Sequence, residues 1–227
     1  MSKSQLSPLQ EEILAAFFRR EQRFFLTGGA ALAGFHLGHR RTADLDLFTT
    51  HLSAAGAPST LDAGDAALRA AAEELGATVE NLQTSPDFRR RQVTRGADRV
   101  VVDLVLERVV QGYPDKPAIG DIRIDPPEEI LANKLCALLS RSEPRDLVDV
   151  YALERTGLRV EQALQLAVQK DSGLTPAQLA WVLSEIQIGE DARLPGEISP
   201  DALRDFLEKL IGRLTRLAYP DKGQSRA

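Results

Sequence analysis

Three aspartates sit where an acid needs a reason to be. Asp44 and Asp46 lie in DLDLF, and Asp103 lies in VVVDLVL between Val102 and Leu104. Polar and apolar residues alternate over 44–48, the period of a strand with one buried face, so Asp44 and Asp46 point the same way. An acid inside a run as apolar as the one around Asp103 is costly to bury without a partner. Side by side in one sheet, the three would gather at one strand end. Hard oxygen donors of that kind suit magnesium or manganese bridging to phosphates. A DxD alone is a weak signal, and its weight comes from what surrounds it in order.

Upstream, Phe24, Phe25 and Leu26 form a short apolar strand that runs into Gly28 and Gly29, and AALAGFHLG then has the small residues of a helix packed tightly on a sheet. The glycines suit either a tight strand-to-helix turn or a close approach to phosphate oxygens, with Thr27 and the neighbouring amides as the cradle. The lysine of a P-loop and the third glycine of a dinucleotide fingerprint are both missing. Arg41 and Thr42 stand between this turn and the DxD strand. Further on, Lys134 lies among Leu131, Leu135 and Leu138, so its ammonium either snorkels to water or reaches into a cleft. Asp146 and Asp149 share a helix face and can pair with Lys134, Arg141 or Arg145. His36, His39 and His51 lack the fourth ligand that a zinc site needs. Cys136, the one cysteine, reads as a buried structural residue.

The elements that must position these residues are legible from caps and periods. Ser7, Pro8 and Gln10 read as a capping box opening a helix through Phe17 and Phe18. After DLDLF comes a Gly, Ala and Ser loop, then a helix from about Asp65 to Leu75 closed by Gly76. ATVENLQ, FRRRQVT and DRVVVDLVLE read as strands, the last two joined by a turn at 95–98. From Pro126 onward the pattern is helical, over 127–140, 144–155, 160–170, 175–187 and 199–218. The expected organisation is an α+β domain over 1–126 and a helical domain over 127–227, with the active cleft between them.

With 227 residues, 43% hydrophobic, the chain can bury a core without disulfides. It has no apolar run long enough to cross a membrane, and MSKSQLSPLQ lacks a signal-peptide core, which predicts a cytoplasmic protein. A net charge of -5 argues against a surface that binds nucleic acid everywhere. A local patch is available in Arg89, Arg90, Arg91, Arg95 and Arg99, readable as an RNA guide or as solvated edge charge. If FRRRQVT is a strand, Arg89 and Arg91 share one face and Arg90 takes the other.

TGGAALAGFHLGHRRTADLDLF resembles the first motif of the AbiEii/AbiGii-type nucleotidyltransferases, a branch of the polymerase-β-like nucleotidyltransferases, and EEILANKLCALLSRSEPRDLVDVYAL resembles the family's later motifs. The resemblance implies a polymerase-β-like core followed by a helical half. It also implies transfer of a nucleoside monophosphate from an NTP to an acceptor hydroxyl, with Asp44, Asp46 and Asp103 as ligands of Mg2+ or Mn2+. Asp103 would also help deprotonate the acceptor hydroxyl, and Arg41 and Lys134 would offset phosphate charge. Gly28, Gly29, Arg41, Thr42 and Lys134 would bind the nucleotide, with Asp146 beside them, while Asp149 and Tyr151 hold helices together. Implied partners are an NTP, tRNA as acceptor, and a cognate antitoxin in a toxin–antitoxin or phage-defence pair. Two other readings stay open: a nucleotidyltransferase acting on an aminoglycoside-like small molecule, and a non-catalytic nucleotide-binding module.

Overall fold

The computed structural model describes residues 4–53 and 59–220, so most of the Gly, Ala and Ser loop expected after DLDLF lies outside the described residues. The chain is α+β and divides into two compact units. The first comprises residues 1–109 and 113–126, the second residues 110–112 and 127–227.

In the first unit, α1 (Pro8–Phe18) opens with the expected capping box: the Ser7 hydroxyl accepts from the Gln10 amide, and the Gln10 side chain accepts from the Ser7 amide. A cap of this kind stabilises a helix by about 0.5–2 kcal/mol. Its apolar stripe, including Ile13, Leu14, Phe17 and Phe18, is buried. Phe17 packs edge-to-face on Phe18 and on Phe24, with ring centroids 5.5 Å apart in each case. The next elements are β1 (Phe25–Thr27), α2 (Gly28–Ala31) and a π-helical turn, Leu32–His36, that continues α2. β2 (Asp44–Thr49) follows, then α3 (Thr60–Glu74), β3 (Thr78–Ser85), β4 (Phe88–Arg95) and β5 (Asp98–Leu106). α3 begins five residues before the expected start at Asp65, because Ser59 caps it through the Asp62 amide.

These strands form one mixed sheet in the order β1-β2-β5-β4-β3. β2 and β5 are parallel, and the other neighbours are antiparallel. On one face Leu45 and Leu47 of β2, Val102 and Leu104 of β5, and Val93 of β4 are buried, with α1 and α3 packed against the sheet. The opposite face carries the acids. A two-residue pair, β6 (Ala118–Ile119) and β7 (Ile122–Arg123), leads to Ile124, which bridges β1 at Leu26.

The second unit consists of α4 (Pro127–Arg141), α5 (Pro144–Glu154), α6 (Val160–Lys170), α7 (Pro176–Ser184) and α8 (Pro200–Ala218). α4 packs on α5, α6 and α7, and α8 packs on α5 and α7. Residues 110–112 join this unit because Lys170 donates to the Val110 carbonyl at 2.9 Å and Leu166 packs on Gly112. Cys136 is half-buried, its thiol directed at the Ala167 carbonyl at 3.6 Å. Among the described residues no helix is long and apolar enough to cross a membrane.

Candidate active site

Strand pairing places the candidate residues in one row across the sheet. Thr27 of β1 stands opposite Asp46 of β2, Asp46 opposite Asp103 of β5, and Asp103 opposite Arg90 of β4. Directly paired residues project to the same face, and Asp44, two residues before Asp46, joins them. The sequence period thus becomes a row of Thr, Asp, Asp and Arg, with a further Asp beside it.

Each member is held by something specific. The Thr42 hydroxyl donates to Asp44 Oδ1 at 2.6 Å. Gly28, at φ +63°, lies so close to Asp46 that a Cβ there would collide with its carboxylate. Only glycine satisfies both the left-handed backbone and the contact. A Cβ on Gly29 would come 2.8 Å from the Arg40 guanidinium and 3.3 Å from the Thr42 hydroxyl. Arg40 is buried, whereas the expected phosphate ligand Arg41 is exposed. A cavity of about 430 Å3 adjoins this loop, lined by Arg41, Thr42, Gln10 and residues 4–8.

Thr27 is not available as a cradle for phosphate. Its hydroxyl donates to Asp125 Oδ2 at 2.6 Å, and Lys116 meets Asp125 Oδ1 at 2.7 Å with both side chains buried. The Lys116 ammonium also lies 4.6 Å from the Phe25 ring centroid. The Asp125 amide donates to the Leu26 carbonyl at 2.9 Å, and its own carbonyl meets His36 Nε2 at 2.8 Å. Asp125 therefore pins β1 and the turn at Thr27–Gly28. Sequence reasoning missed it, because Asp125 and Lys116 sit in a loop-rich stretch with no period to mark them.

Asp103 is buried, and both its oxygens accept from Arg90, Oδ1 from Nε at 2.8 Å and Oδ2 from an Nη at 2.7 Å. The Arg90 pKa is raised above its ordinary value by hydrogen bonding to Asp103, against a smaller effect of burial, with the charges of Asp103, Asp46 and Asp44 adding to it. Arg90 thus feels the field of all three acids. Among the described residues no three His, Cys, Asp or Glu side chains stand together as a metal-holding group. The three carboxylates share one face, Asp46 directly opposite Asp103 and Asp44 two residues along, but Asp103 is engaged by an arginine. Carboxylate oxygens at Asp44 and Asp46, with no side chain at Gly28 to crowd them, fit a hard divalent ion in kind.

Arg89, Arg91 and Arg95 do not stand together as an open basic patch. Arg89 and Arg91, on the helix face, are buried. Arg89 pairs with Asp62 at 2.8 Å and Arg91 with Asp65 at 2.7 Å, both on α3. Arg95 pairs with Glu12 of α1. Alternation divides the run, and α3 supplies acids to the face where Arg89 and Arg91 point.

In the helical unit, Lys134 neither snorkels nor stands free. Its ammonium is 2.7 Å from Asp146 Oδ1 and 2.6 Å from Asp149 Oδ2, both fully buried, and Arg141 forks onto Asp146 at 2.7 and 3.0 Å. Burial works to raise the Asp146 pKa, but the Arg141 hydrogen bond and the Lys134 charge prevail and hold it below the ordinary carboxylate value. Arg145 turns away to Glu143 at 2.5 Å. Tyr151 packs edge-to-face on Phe206 of α8, centroids 5.2 Å apart, which ties α5 to α8.

The site is thus an acid row beside a glycine turn, on a small mixed sheet. The model of the family described as nucleotidyl transferase AbiEii toxin, type IV TA system, matches residues 12–221, and the chain belongs to that family: it is a nucleotidyltransferase of the toxin–antitoxin type. The fold is shared with JHP933 from Helicobacter pylori at TM-score 0.55 and 20% identity, covering 94% of this chain and 96% of that one. It is shared too with a candidate nucleotidyltransferase from H. pylori at TM-score 0.53 and 17% identity, covering 92% and 94%. No curated protein is similar enough in sequence to count as a relative.

Proposed function

We propose that the chain transfers a nucleoside monophosphate from an NTP to a hydroxyl of RNA, with tRNA as acceptor, at the face of the sheet bearing Asp44, Asp46 and Asp103. The observation that carries this reading is the row in which Asp46 and Asp103 stand opposite each other on parallel strands, with Asp44 on the same face. Asp44 and Asp46 would hold a magnesium or manganese ion, which when bound supplies charge neutralisation on the phosphates and a template for in-line displacement. The acceptor oxygen attacks the α-phosphorus, the bond from that phosphorus to the bridging oxygen breaks, and pyrophosphate leaves. Asp103 takes the hydroxyl proton on a carboxylate oxygen once Arg90 has released it. Arg41, exposed and three residues before Asp44, would offset triphosphate charge. Lys134 and Asp146 support this chemistry by fixing α4 on α5 rather than by touching phosphate. The family's type IV toxin–antitoxin character supports a cognate antitoxin protein as partner.

The test is to incubate the protein with each of four α-labelled NTPs, magnesium and either total tRNA or an aminoglycoside. Label on tRNA alone is the expected result. Label on the aminoglycoside alone would replace the RNA reading with the small-molecule one, and label on neither would favour a binding module.

A further inference from the structure

Resting on the reading of Asp44 and Asp46 as the metal pair, we propose that Arg90 latches Asp103 out of the metal set, so that the free protein takes one divalent ion and takes a second on Asp103 only when the Arg90–Asp103 pair opens. Both oxygens of Asp103 accept from Arg90, at 2.8 and 2.7 Å, which leaves its best-placed lone pairs committed. The pair is also lopsided. The Asp103 side chain is 8% exposed and that of Arg90 44%, so the guanidinium can leave for solvent while the carboxylate stays in place.

Arg90 and Phe88 project from the same face of β4, and while it is forked onto Asp103 the Arg90 guanidinium lies 5.5 Å from the Phe88 ring centroid, so a cation–π contact helps hold the closed latch. The two acids on β2 raise the stakes of the latch. With Asp46 directly opposite Asp103 and Asp44 beside it, three carboxylates on one face repel one another unless a cation sits among them. Arg90 supplies such a cation at Asp103, and a divalent ion entering there must displace it. A tether that only joined β4 to β5 would not need this placement, since backbone pairing runs from Phe88↔Val105 to Arg95↔Asp98.

The experiment is a Mn2+ titration of the full chain, read by the loss of the free-ion electron paramagnetic resonance signal, without nucleotide or acceptor. Wild type should bind one Mn2+. Arg90→Ala should bind two, or bind the second roughly tenfold or more tightly. Arg90→Lys, which keeps a charge but cannot fork onto a carboxylate, should fall between. Asp44→Asn/Asp46→Asn should lose the first ion. If Mn2+ binding in wild type survives that double substitution, the metal reading itself falls and the latch with it. If the double substitution abolishes binding but Arg90→Ala matches wild type in number and affinity, the latch alone is overturned and Arg90 is a strand tether. A melting curve for each variant separates a shift in stoichiometry from loss of fold.

Discussion

Replacing Lys134 by alanine should damage the fold before it damages chemistry. Lys134 is 6% exposed, and its ammonium lies 2.7 Å from one fully buried carboxylate and 2.6 Å from another. Removing one partner of a buried ion pair costs about 3–5 kcal/mol, because the remaining charge stays desolvated. Asp146 keeps Arg141, which is half exposed, so the lower end applies. At about 3 kcal/mol, and with roughly 2–4 °C per kcal/mol for a chain of this size, Lys134→Ala should melt about 6–12 °C below wild type at pH 7. The loss should also depend on pH. Burial already works to raise the Asp146 pKa, and without the Lys134 charge that effect is less opposed. Stability from the lowered Asp146 pKa, present above the unfolded pKa and lost as pH falls through the folded one, is then reduced, so the gap to wild type should narrow on acidification. Scanning calorimetry at pH 7 and at lower pH, with Lys134→Met/Asp146→Asn/Asp149→Asn as the neutralised counterpart, decides the point. A Lys134→Ala protein that melts with wild type at pH 7 would refute the claim that this lysine is structural.

Gly28→Ala should place a methyl against the Asp46 carboxylate at a φ of +63°, so it should lower Mn2+ affinity and cost about 1–2 kcal/mol from the backbone alone, measured by titration and denaturant melts. Arg91→Leu should destabilise the first unit, and its effect should be non-additive with Asp65→Leu in a double-mutant cycle, because buried Arg91 is paired with half-buried Asp65. tRNA affinity and its salt slope should be unchanged in correctly folded Arg91→Leu protein, whereas a flattened slope would restore the RNA-guide role to that arginine. The depressed pKa of Asp146 makes its stabilisation present above the unfolded pKa and lost as pH falls through the lower folded one. Acid unfolding of wild type should therefore steepen only below about pH 4, and Asp146→Asn should flatten that limb of the stability curve.

Much of this architecture was readable because it rests on local rules. The alternation of DLDLF makes Asp44 and Asp46 share a face, Ser7 and Gln10 announce α1, and Gly28 marks a turn where backbone meets side chain. The split of the FRRRQVT run between two faces also follows from strand period. What each face meets does not. That Arg89 and Arg91 find Asp62 and Asp65 depends on α3 crossing behind the sheet. That Arg90 finds Asp103 depends on the β4–β5 register, which a turn at 95–98 suggests only to within a residue or two. The buried Lys116–Asp125 pair joins a loop to β1 across about a hundred residues of sequence at Thr27, and no period marks it. The π-helical turn at Leu32–His36 reads in sequence as plain helix. In the helical unit, Lys134 was visible as a charge among leucines, but its two buried partners are set by how α4 packs on α5.

The most direct test of the central claim is magnesium-dependent transfer of labelled nucleotide by wild type and by Asp46→Asn, a substitution that preserves shape at the centre of the row. The expected result is transfer that requires the ion in wild type and falls by at least about a hundredfold in Asp46→Asn, at unchanged melting temperature. Transfer at the wild-type rate by Asp46→Asn, or by wild type in excess chelator, would contradict the assignment of this acid row as the catalytic site.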